Sequence, residues 1–188
     1  MKQLVLMLMA AVVAGIVSGC SWFSNKGALP RKLHPSMFGT NRVLVVFLPG
    51  IGGKGSDYET QGFLKALQNR GFEASMKVLD VKPSLYLGSK IVEILKTEVF
   101  THDKAKGYEK IYLVGISLGG HAVLRYLTEY PDDVEGAVLL APFISGPVVS
   151  DAVTSAGGLG SWEDCPFAAW GYACDMWYSL KEYVSNPL

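Results

Sequence analysis

The sequence predicts an α/β fold, a three-layer sandwich in which helices cover both faces of a mainly parallel sheet. Short, continuously apolar runs, which are typical of strands buried on both faces, lie at residues 43–48, 111–114 and 137–141, and a weaker run lies at 74–79. Stretches with helical periodicity separate these runs. Strand and helix therefore alternate along the chain, as they do where right-handed crossovers connect parallel strands.

Length and composition fit one domain with a sizeable core. The chain has 188 residues, of which 49% are apolar, 18% charged and 11% aromatic, so it is neither disordered nor a coiled coil. Seventeen basic residues balance seventeen acidic ones, and no basic run has the pattern that follows a phosphate backbone, so nucleic acid is not an expected partner. Three scattered cysteines are too few for a Cys-rich zinc site, and no metal is predicted.

The amino terminus is predicted to be a targeting segment. Fourteen apolar or small residues span 4–17, a run that is too short to cross a bilayer comfortably but suits a secretory signal peptide. The following Val17-Ser18-Gly19-Cys20 resembles the lipobox of bacterial lipoprotein signal peptides. This resemblance implies cleavage of residues 1–19 and lipidation of Cys20, and Ser21 implies the outer membrane of a Gram-negative cell, facing the periplasm. An uncleaved membrane anchor is the alternative.

The chain that follows is predicted to contain a tether and one domain. Residues 20–41 include Ser, Asn, Lys, Gly and Pro, the composition of a tether. A single α/β domain is expected over residues 42–188. Its last part, residues 157–188, is rich in glycine and aromatic residues and has no strand-like run, so it is predicted to form a cap or tail.

Three helices are predicted between the strands. The first begins near Ser56, which has capping-box spacing to Glu59, and ends near Gly71. The second places four apolar residues on one side: Ile91, Ile94, Leu95 and Val99. The third starts after Ser117 and ends before Pro131, because proline disfavours a helical conformation in the residue that precedes it.

The main chemical motif is the G-x-S-x-G pattern Gly115-Ile116-Ser117-Leu118-Gly119, between a buried strand and an amphipathic helix. A serine there occupies a sharp turn, and the flanking Gly115 and Gly119 relieve crowding of the backbone. Its Oγ then stands at the carboxyl end of the sheet, where open α/β folds bind ligands. The first N–H groups of the helix, beginning with that of Leu118, can stabilise negative charge on an attacked carbonyl. The alternative is an ordinary glycine-rich turn with a capping serine.

These residues resemble the α/β-hydrolase family of serine esterases, lipases and thioesterases over about residues 42–142. The segment Pro49-Gly50-Ile51-Gly52-Gly53 looks like the family's loop that completes the oxyanion hole. The resemblance implies that Ser117 is the nucleophile and that the backbone N–H groups of Leu118 and Ile51 form the oxyanion hole. The family often has histidine where this chain has Pro49 and Ile116, but the backbone supplies the donor in both cases.

The glycine loop also permits a different interpretation. Residues 50–55 fit the dinucleotide-binding pattern G-x-G-x-x-G after a strand, and Asp80 ends the next strand, where such a fold has its ribose-binding acid. Against NAD binding, the predicted helix starts after Gly55, whereas a pyrophosphate loop needs helix N–H groups within the glycine run. A Walker A motif fits worse, because Leu48 would occupy its first glycine position if Lys54 were its lysine. No cofactor is therefore predicted.

The base and acid that the resemblance implies are missing from their usual places. A serine hydroxyl needs a base to accept its proton, and the family order is Ser, acid, His. The three histidines are His34 in the tether, His102 at the far end of the sheet and His121 one helical turn beyond Ser117. Three aspartates could reach the site as an acid: Asp151, Asp164 and Asp175. The chain is therefore interpreted as truncated, lacking the family's last strand units, with an exposed sheet edge and poor solubility.

The tail contains six large aromatic residues: Trp162, Phe167, Trp170, Tyr172, Trp177 and Tyr178. They either form an apolar cap over the nucleophile, which would suit an acyl or aromatic ester, or cover the sheet. Cys165 and Cys174 lie in the same segment, and Pro166 and Gly171 favour a bend between them. A disulfide is expected in an oxidising periplasm.

The sequence thus predicts an exported, lipid-anchored serine hydrolase that acts on a small-molecule carboxylic ester or thioester. It is inactive as encoded if the acid and the base are absent. The alternative is a non-catalytic lipoprotein that binds an apolar ligand or partner in the same cleft. Contact with the membrane is expected through lipidated Cys20.

Overall fold

A computed structural model describes residues 31–34, 42–86, 90–163, 165 and 171–185. The predicted signal peptide, residues 1–19, and the predicted lipidation site, Cys20, lie outside the described residues. No helix in the described ranges combines the length and the apolar character needed to cross a bilayer.

Five strands form one sheet in the order β1-β3-β2-β4-β5. Their bounds are β1 Arg31–His34, β2 Val43–Leu48, β3 Ser75–Leu79, β4 Lys110–Ile116 and β5 Gly136–Leu140. β1 is antiparallel to β3, whereas the pairs β3–β2, β2–β4 and β4–β5 are parallel. The predicted α/β fold with a mainly parallel sheet is therefore confirmed, and the ends of the four predicted strands are correct to within two residues.

β1 corrects one part of the sequence-based prediction. The predicted tether, residues 20–41, includes Arg31–His34, but these residues pair with β3, with Leu33 opposite Lys77. An antiparallel strand at the edge of a sheet contacts only one neighbour, so it does not need the continuous apolar run by which the other strands were recognised. The sheet therefore begins before Arg42.

Helices and short helical turns connect the strands. The α-helices are α1 Ser56–Thr60, α2 Phe63–Asn69, α3 Pro83–Tyr86, α4 Lys90–Ile94, α5 His102–Ala105, α6 Leu118–Glu129, α7 Pro147–Ser155 and α8 Gly171–Ser185. A π-helical segment, Leu95–Thr101, joins α4 to α5, and a 3₁₀ turn, Pro131–Asp133, follows α6. The predicted end of α6 before Pro131 is confirmed.

The first predicted helix is divided into two. Gly62, with φ of +83°, lies between α1 and α2 and interrupts the helix in a conformation that favours glycine. The predicted capping box is wrong, because the N-cap residue is Gly55 and no side chain caps α1. Instead, Asp57 Oδ2 accepts a hydrogen bond from the Lys54 N–H at 2.8 Å, and Asp80 Oδ1 accepts one from the Gly55 N–H at 2.6 Å.

The two faces of the sheet carry separate apolar cores, which gives the three layers. On one face, α4, the π-helical segment and α6 pack against alternate residues of the central strands, among them Leu44, Val46 and Leu113. On the other face, α1 and α2 cover residues that include Val45 and Phe47. This second covering lies over β2 and β3, so it leaves part of β4 and β5 open, with Val138 on β5 exposed.

An ion pair is buried in the sheet where β3 meets α5. Lys77 Nζ on β3 bonds to Asp103 Oδ2 on α5, and both side chains are almost fully buried. Lys77 faces Val46 of β2 in the parallel register and Leu33 of β1 in the antiparallel one. The ammonium group of Lys77 is therefore neutralised by Asp103 inside the protein and is not exposed to solvent.

Candidate active site

Ser117 lies in a strained turn between β4 and α6. Its φ of 53° and ψ of −115° place a non-glycine residue in a sparsely populated backbone region. Three backbone hydrogen bonds hold the residue: its N–H donates to Leu140 O at 3.0 Å, and its carbonyl accepts from Phe143 N at 2.9 Å and His121 N at 3.1 Å. The neighbouring strand and loop therefore fix the turn, and the Ser117 side chain is only half-buried.

Glycines around this turn allow backbone segments to approach closely. A Cβ added at Gly119 would lie 2.1 Å from Leu48 O, and one added at Gly115 would lie 2.4 Å from Gly119 O. A Cβ at Gly120 would lie 2.8 Å from Cβ of Pro142. Side chains at these positions are excluded by backbone contact, so the glycines of the motif pack α6 directly against the end of β2.

The loop after β2 passes beside Ser117. A Cβ added at Gly50 would lie 3.2 Å from Ser117 Cβ, so the loop backbone runs close to the serine. Gly53 N–H donates to Gly50 O at 3.1 Å, which closes a tight turn over Ile51 and Gly52. Ile51 is exposed at the tip of this turn. We refer to residues 49–53 as the oxyanion loop, after the role that the sequence predicts.

Ser117 and Ile51 line one cleft of about 280 Å³. Its other apolar lining residues include Phe63 and Ile116, and its other polar lining residues are Lys54, Asp57, Tyr58 and Gln61. Leu118 directly follows Ser117 as the first residue of α6, and its side chain packs into the core. The structure therefore brings together the predicted nucleophile and the residue predicted to supply the loop donor, at the carboxyl end of the sheet where α/β folds bind ligands.

The lining of the cleft, as far as the described residues define it, contains no histidine. His121 is buried on α6, and its Nδ1 lies 2.9 Å from Phe143 O, to which it donates. Burial lowers the pKa of His121, more than its hydrogen bonds to the carbonyls of Phe143 and Ile144 raise it. His102 Nδ1 contacts Asp103 Oδ1 at 2.9 Å, and His34 lies on the edge strand β1.

Of the three aspartates that the sequence offered as acids, the two that the structure describes do not line the cleft. Asp151 on α7 and Asp175 on α8 are both exposed, and Asp164 lies outside the described residues. Asp80 bonds to the Gly55 N–H and so fixes the start of α1. The dinucleotide interpretation required Asp80 for a ribose, so this contact argues against it. No cluster of three or more potential metal ligands occurs among the described residues.

The tail forms a small cluster of its own. A disulfide joins Cys165 to Cys174 with a Cα–Cα distance of 5.9 Å, and Trp162 packs beside it with residues of α7. Trp177 Nε1 donates to Ser145 Oγ at 2.9 Å, and Trp162 stacks on Tyr178. Of the tail's described rings, none lines the cleft. Phe167 and Trp170 lie outside the described residues, as does the side chain of Tyr172.

Sequence reasoning missed two tyrosines behind the oxyanion loop. Tyr58 on α1 donates its hydroxyl hydrogen to Leu48 O at 2.8 Å, and Tyr86 on α3 donates to Pro49 O at 2.5 Å. Both side chains are buried. The partners are 10 and 37 residues apart in sequence, so no local spacing could have indicated these contacts.

A family model and solved structures support the predicted resemblance. Residues 89–162 match the model described as serine aminopeptidase, S33, a group of α/β-hydrolases. A comparison with curated proteins returned no match. The matched segment contains the G-x-S-x-G motif and α6, and it ends in the tail.

Three solved structures illustrate the structural likeness. A lipase-esterase related protein from Clostridium acetobutylicum is 17% identical, with a TM-score of 0.50, and the match covers 70% of this chain and 54% of that one. A monoacylglycerol lipase from Paleococcus ferrophilus is 28% identical, with a TM-score of 0.47 and coverage of 70% and 51%. A phospholipase/carboxylesterase from Dyadobacter fermentans is 18% identical, with a TM-score of 0.49 and coverage of 64% and 63%.

These comparisons confirm that the chain resembles the α/β-hydrolases and has their fold. The chain spans less than two thirds of the length of each of the three solved structures. The comparisons thus support the α/β-hydrolase fold for this chain.

Proposed function

We propose that Ser117 of this chain accepts an acyl group from a carboxylic ester or thioester. The observation that carries the proposal is the strained Ser117 turn, which lines a cleft together with Gly50 and Ile51 of the oxyanion loop. A non-glycine residue with this backbone conformation costs about 1–3 kcal/mol, and such residues cluster at functional sites. An ordinary capping serine needs no such conformation, because a helix N-cap has an extended backbone.

The proposed reaction is nucleophilic acyl transfer. Ser117 Oγ forms a bond to the carbonyl carbon, the hydroxyl proton passes to a base, and the carbonyl oxygen becomes negatively charged. The backbone N–H groups of Ile51 and Leu118 donate hydrogen bonds to that oxygen. When the tetrahedral intermediate collapses, its bond to the alcohol or thiol breaks and a proton returns to the leaving group.

The cleft supports an apolar acyl ester as the substrate. Ile51, Phe63 and Ile116 provide an apolar surface next to Ser117. The three solved structures above are named as a monoacylglycerol lipase, a phospholipase/carboxylesterase and a lipase-esterase related protein. Because the described lining contains no histidine, we expect slow turnover by this chain unless a proton acceptor is added.

Attachment to the bacterial cell envelope is part of the proposal. It rests on the sequence Val17-Ser18-Gly19-Cys20, with Cys20 as the lipidated residue and the periplasmic face of the outer membrane as the location. Two or more acyl chains would give stable anchoring, since one chain binds a membrane only marginally. Expression with radiolabelled palmitate checks this: the wild type should carry label in the membrane fraction, and Cys20→Ser should carry none.

Labelling by a fluorophosphonate tests the nucleophile. The reagent forms a P–O bond with an activated serine and releases fluoride, and intact-protein mass spectrometry measures the adduct. With imidazole present as an added proton acceptor, we expect one adduct on the wild type, located at Ser117, and none on Ser117→Ala. Ser145→Ala is the matched control, because Ser145 hydrogen-bonds to Trp177 and does not line the cleft. A folded wild type without an adduct would instead favour a non-catalytic binding protein.

A further inference from the structure

Two buried tyrosine hydroxyls hold the backbone that leads into the oxyanion loop. Tyr58 donates to the carbonyl of Leu48, the last residue of β2, and Tyr86 donates to the carbonyl of Pro49, the next residue. Burial raises the pKa of both phenols well above the usual range, so both stay protonated and act as donors at any ordinary pH.

Tyr58 lies where the two strands that carry the site end side by side. Leu48 and Gly115 are partners in the register of β2 and β4. Tyr58 lines the cleft together with Ile116 and Ser117, and its hydroxyl bonds to Leu48 O. One side chain thus holds the end of the strand that precedes the oxyanion loop, beside the end of the strand that precedes the nucleophile.

Three successive carbonyls in this region each accept a hydrogen bond. Leu48 O accepts from Tyr58, Pro49 O accepts from Tyr86, and Gly50 O accepts from Gly53 N–H at 3.1 Å. A peptide unit is planar, so a fixed carbonyl also fixes the N–H on the other side of the same unit. The N–H groups of Gly50 and Ile51 are therefore aimed by the bonds to Pro49 O and Gly50 O.

We propose that Tyr58 and Tyr86 are positioning residues that orient the oxyanion loop relative to Ser117. This inference rests on the proposed function, because it concerns the donor that the loop would supply. Each hydroxyl is bonded to a backbone carbonyl, that of Leu48 or that of Pro49, and acts on the loop through that carbonyl. Loss of either hydroxyl removes a hydrogen bond that holds the backbone at the start of the loop. An oxyanion donor stabilises charge only when it is held in the correct direction, so small misalignment reduces the rate of the chemical step more than ground-state binding.

The test compares Tyr58→Phe and Tyr86→Phe with wild type in fluorophosphonate labelling, with imidazole present throughout. Concentration series separate the first-order rate constant of labelling, kinact, from the half-saturating concentration, KI. We expect kinact to fall about tenfold in each variant and KI to change less than twofold. Circular dichroism establishes that each variant is folded.

Tyr126→Phe is the matched control. Tyr126 is also fully buried, in the same core as Tyr86, and its hydroxyl donates to Asp133 Oδ2 at 2.6 Å. We expect this variant to lose thermal stability while keeping kinact within twofold of wild type. The inference is overturned if the folded Tyr58→Phe and Tyr86→Phe variants both keep the wild-type kinact, or if Tyr126→Phe loses as much.

Failure of the proposed function gives a different result. If the wild type acquires no adduct at Ser117, the nucleophile itself is wrong and the positioning role is overturned with it. If the wild type is labelled at Ser117 and the two tyrosine variants are labelled at the same rate, only the positioning role is wrong.

Discussion

At the residue scale, position 119 is the most tightly constrained in the site. Gly119→Ala would place a Cβ 2.1 Å from Leu48 O and 2.7 Å from Pro49 O, which are backbone atoms that cannot rotate away. We expect the change to lower the free energy of unfolding by about 2–4 kcal/mol, because α6 or the end of β2 must shift. Urea unfolding measures it, with Gly160→Ala as control, since a Cβ there meets no atom within 4 Å. Equal stability of the two variants would contradict the described packing.

The buried ion pair of Lys77 and Asp103 gives a second prediction for single residues. Lys77→Met leaves the Asp103 carboxylate buried without its ammonium partner, so we expect a loss of about 3–5 kcal/mol in the free energy of unfolding. The control is Glu109→Gln, which breaks the exposed pair with Arg42 and should cost less than about 1 kcal/mol. Urea unfolding at pH 7 compares them, and a loss no greater than that of Glu109→Gln would contradict the prediction.

Much of the site could be predicted from the sequence, because its main motif is a short continuous segment. Gly115, Ser117 and Gly119 lie within five consecutive residues, and the strand before them and the helix after them are recognisable from apolar spacing. Tyr58 and Tyr86 could not be predicted, since each acts on a carbonyl that the fold alone brings near. The sequence likewise shows that Lys77 is charged within a strand but not that Asp103 neutralises it.

At the scale of elements, a hydrogen bond from the titratable side chain of His121 connects α6 to the loop after β5. His121 is buried, and its Nδ1 donates to Phe143 O. Burial lowers its pKa below the ordinary 6.5, although carbonyl hydrogen bonds raise it and Arg125 lowers it further. The unfolded chain therefore binds a proton at a higher pH than the folded chain does. The stability contributed by neutral His121 is complete above pH 6.5 and is lost as the pH falls towards the folded-state pKa.

His121→Asn tests this linkage. An asparagine amide can replace Nδ1 as the donor to Phe143 O but does not titrate. We expect the free energy of unfolding of wild type to fall between pH 7 and pH 5, and that of His121→Asn to fall less over the same range. Guanidinium unfolding at several pH values measures both slopes. Parallel slopes would show that His121 does not contribute to the acid sensitivity.

The helices and strands differ in how well sequence predicted them. Parallel strands were found because burial on both faces requires continuous apolar residues, as in Val43–Leu48. The edge strand Arg31–His34 lacks that pattern and was missed. The helix predicted from Ser56 is divided at Gly62, which has a positive φ. Local spacing indicated the helical region but not this break.

At the scale of the whole molecule, burial across the sheet is uneven. One row of side chains runs from β3 to β5 on the face that α1 and α2 cover, with Val78, Phe47, Val114 and Val138 in register. Val78 is 3% exposed and Phe47 1%, whereas Val138 is 52% exposed. Among the described residues, β5 pairs only with β4 and so presents its other edge. An apolar face beside an open strand edge favours association between chains.

Val138→Lys tests whether this open face controls solubility. A lysine on an exposed edge strand opposes edge-to-edge pairing by its charge, so we expect the variant to stay monomeric at concentrations where wild type associates. Because Val138 is already half exposed, the change should alter the free energy of unfolding by no more than about 0.5 kcal/mol. Sedimentation velocity over a concentration series measures association.

Val78→Lys is the matched control from the same row, and it should unfold the chain because the Val78 side chain is buried. A wild type that is monomeric over the whole series, or a Val138→Lys variant that associates equally, would show that this face is not the source of association.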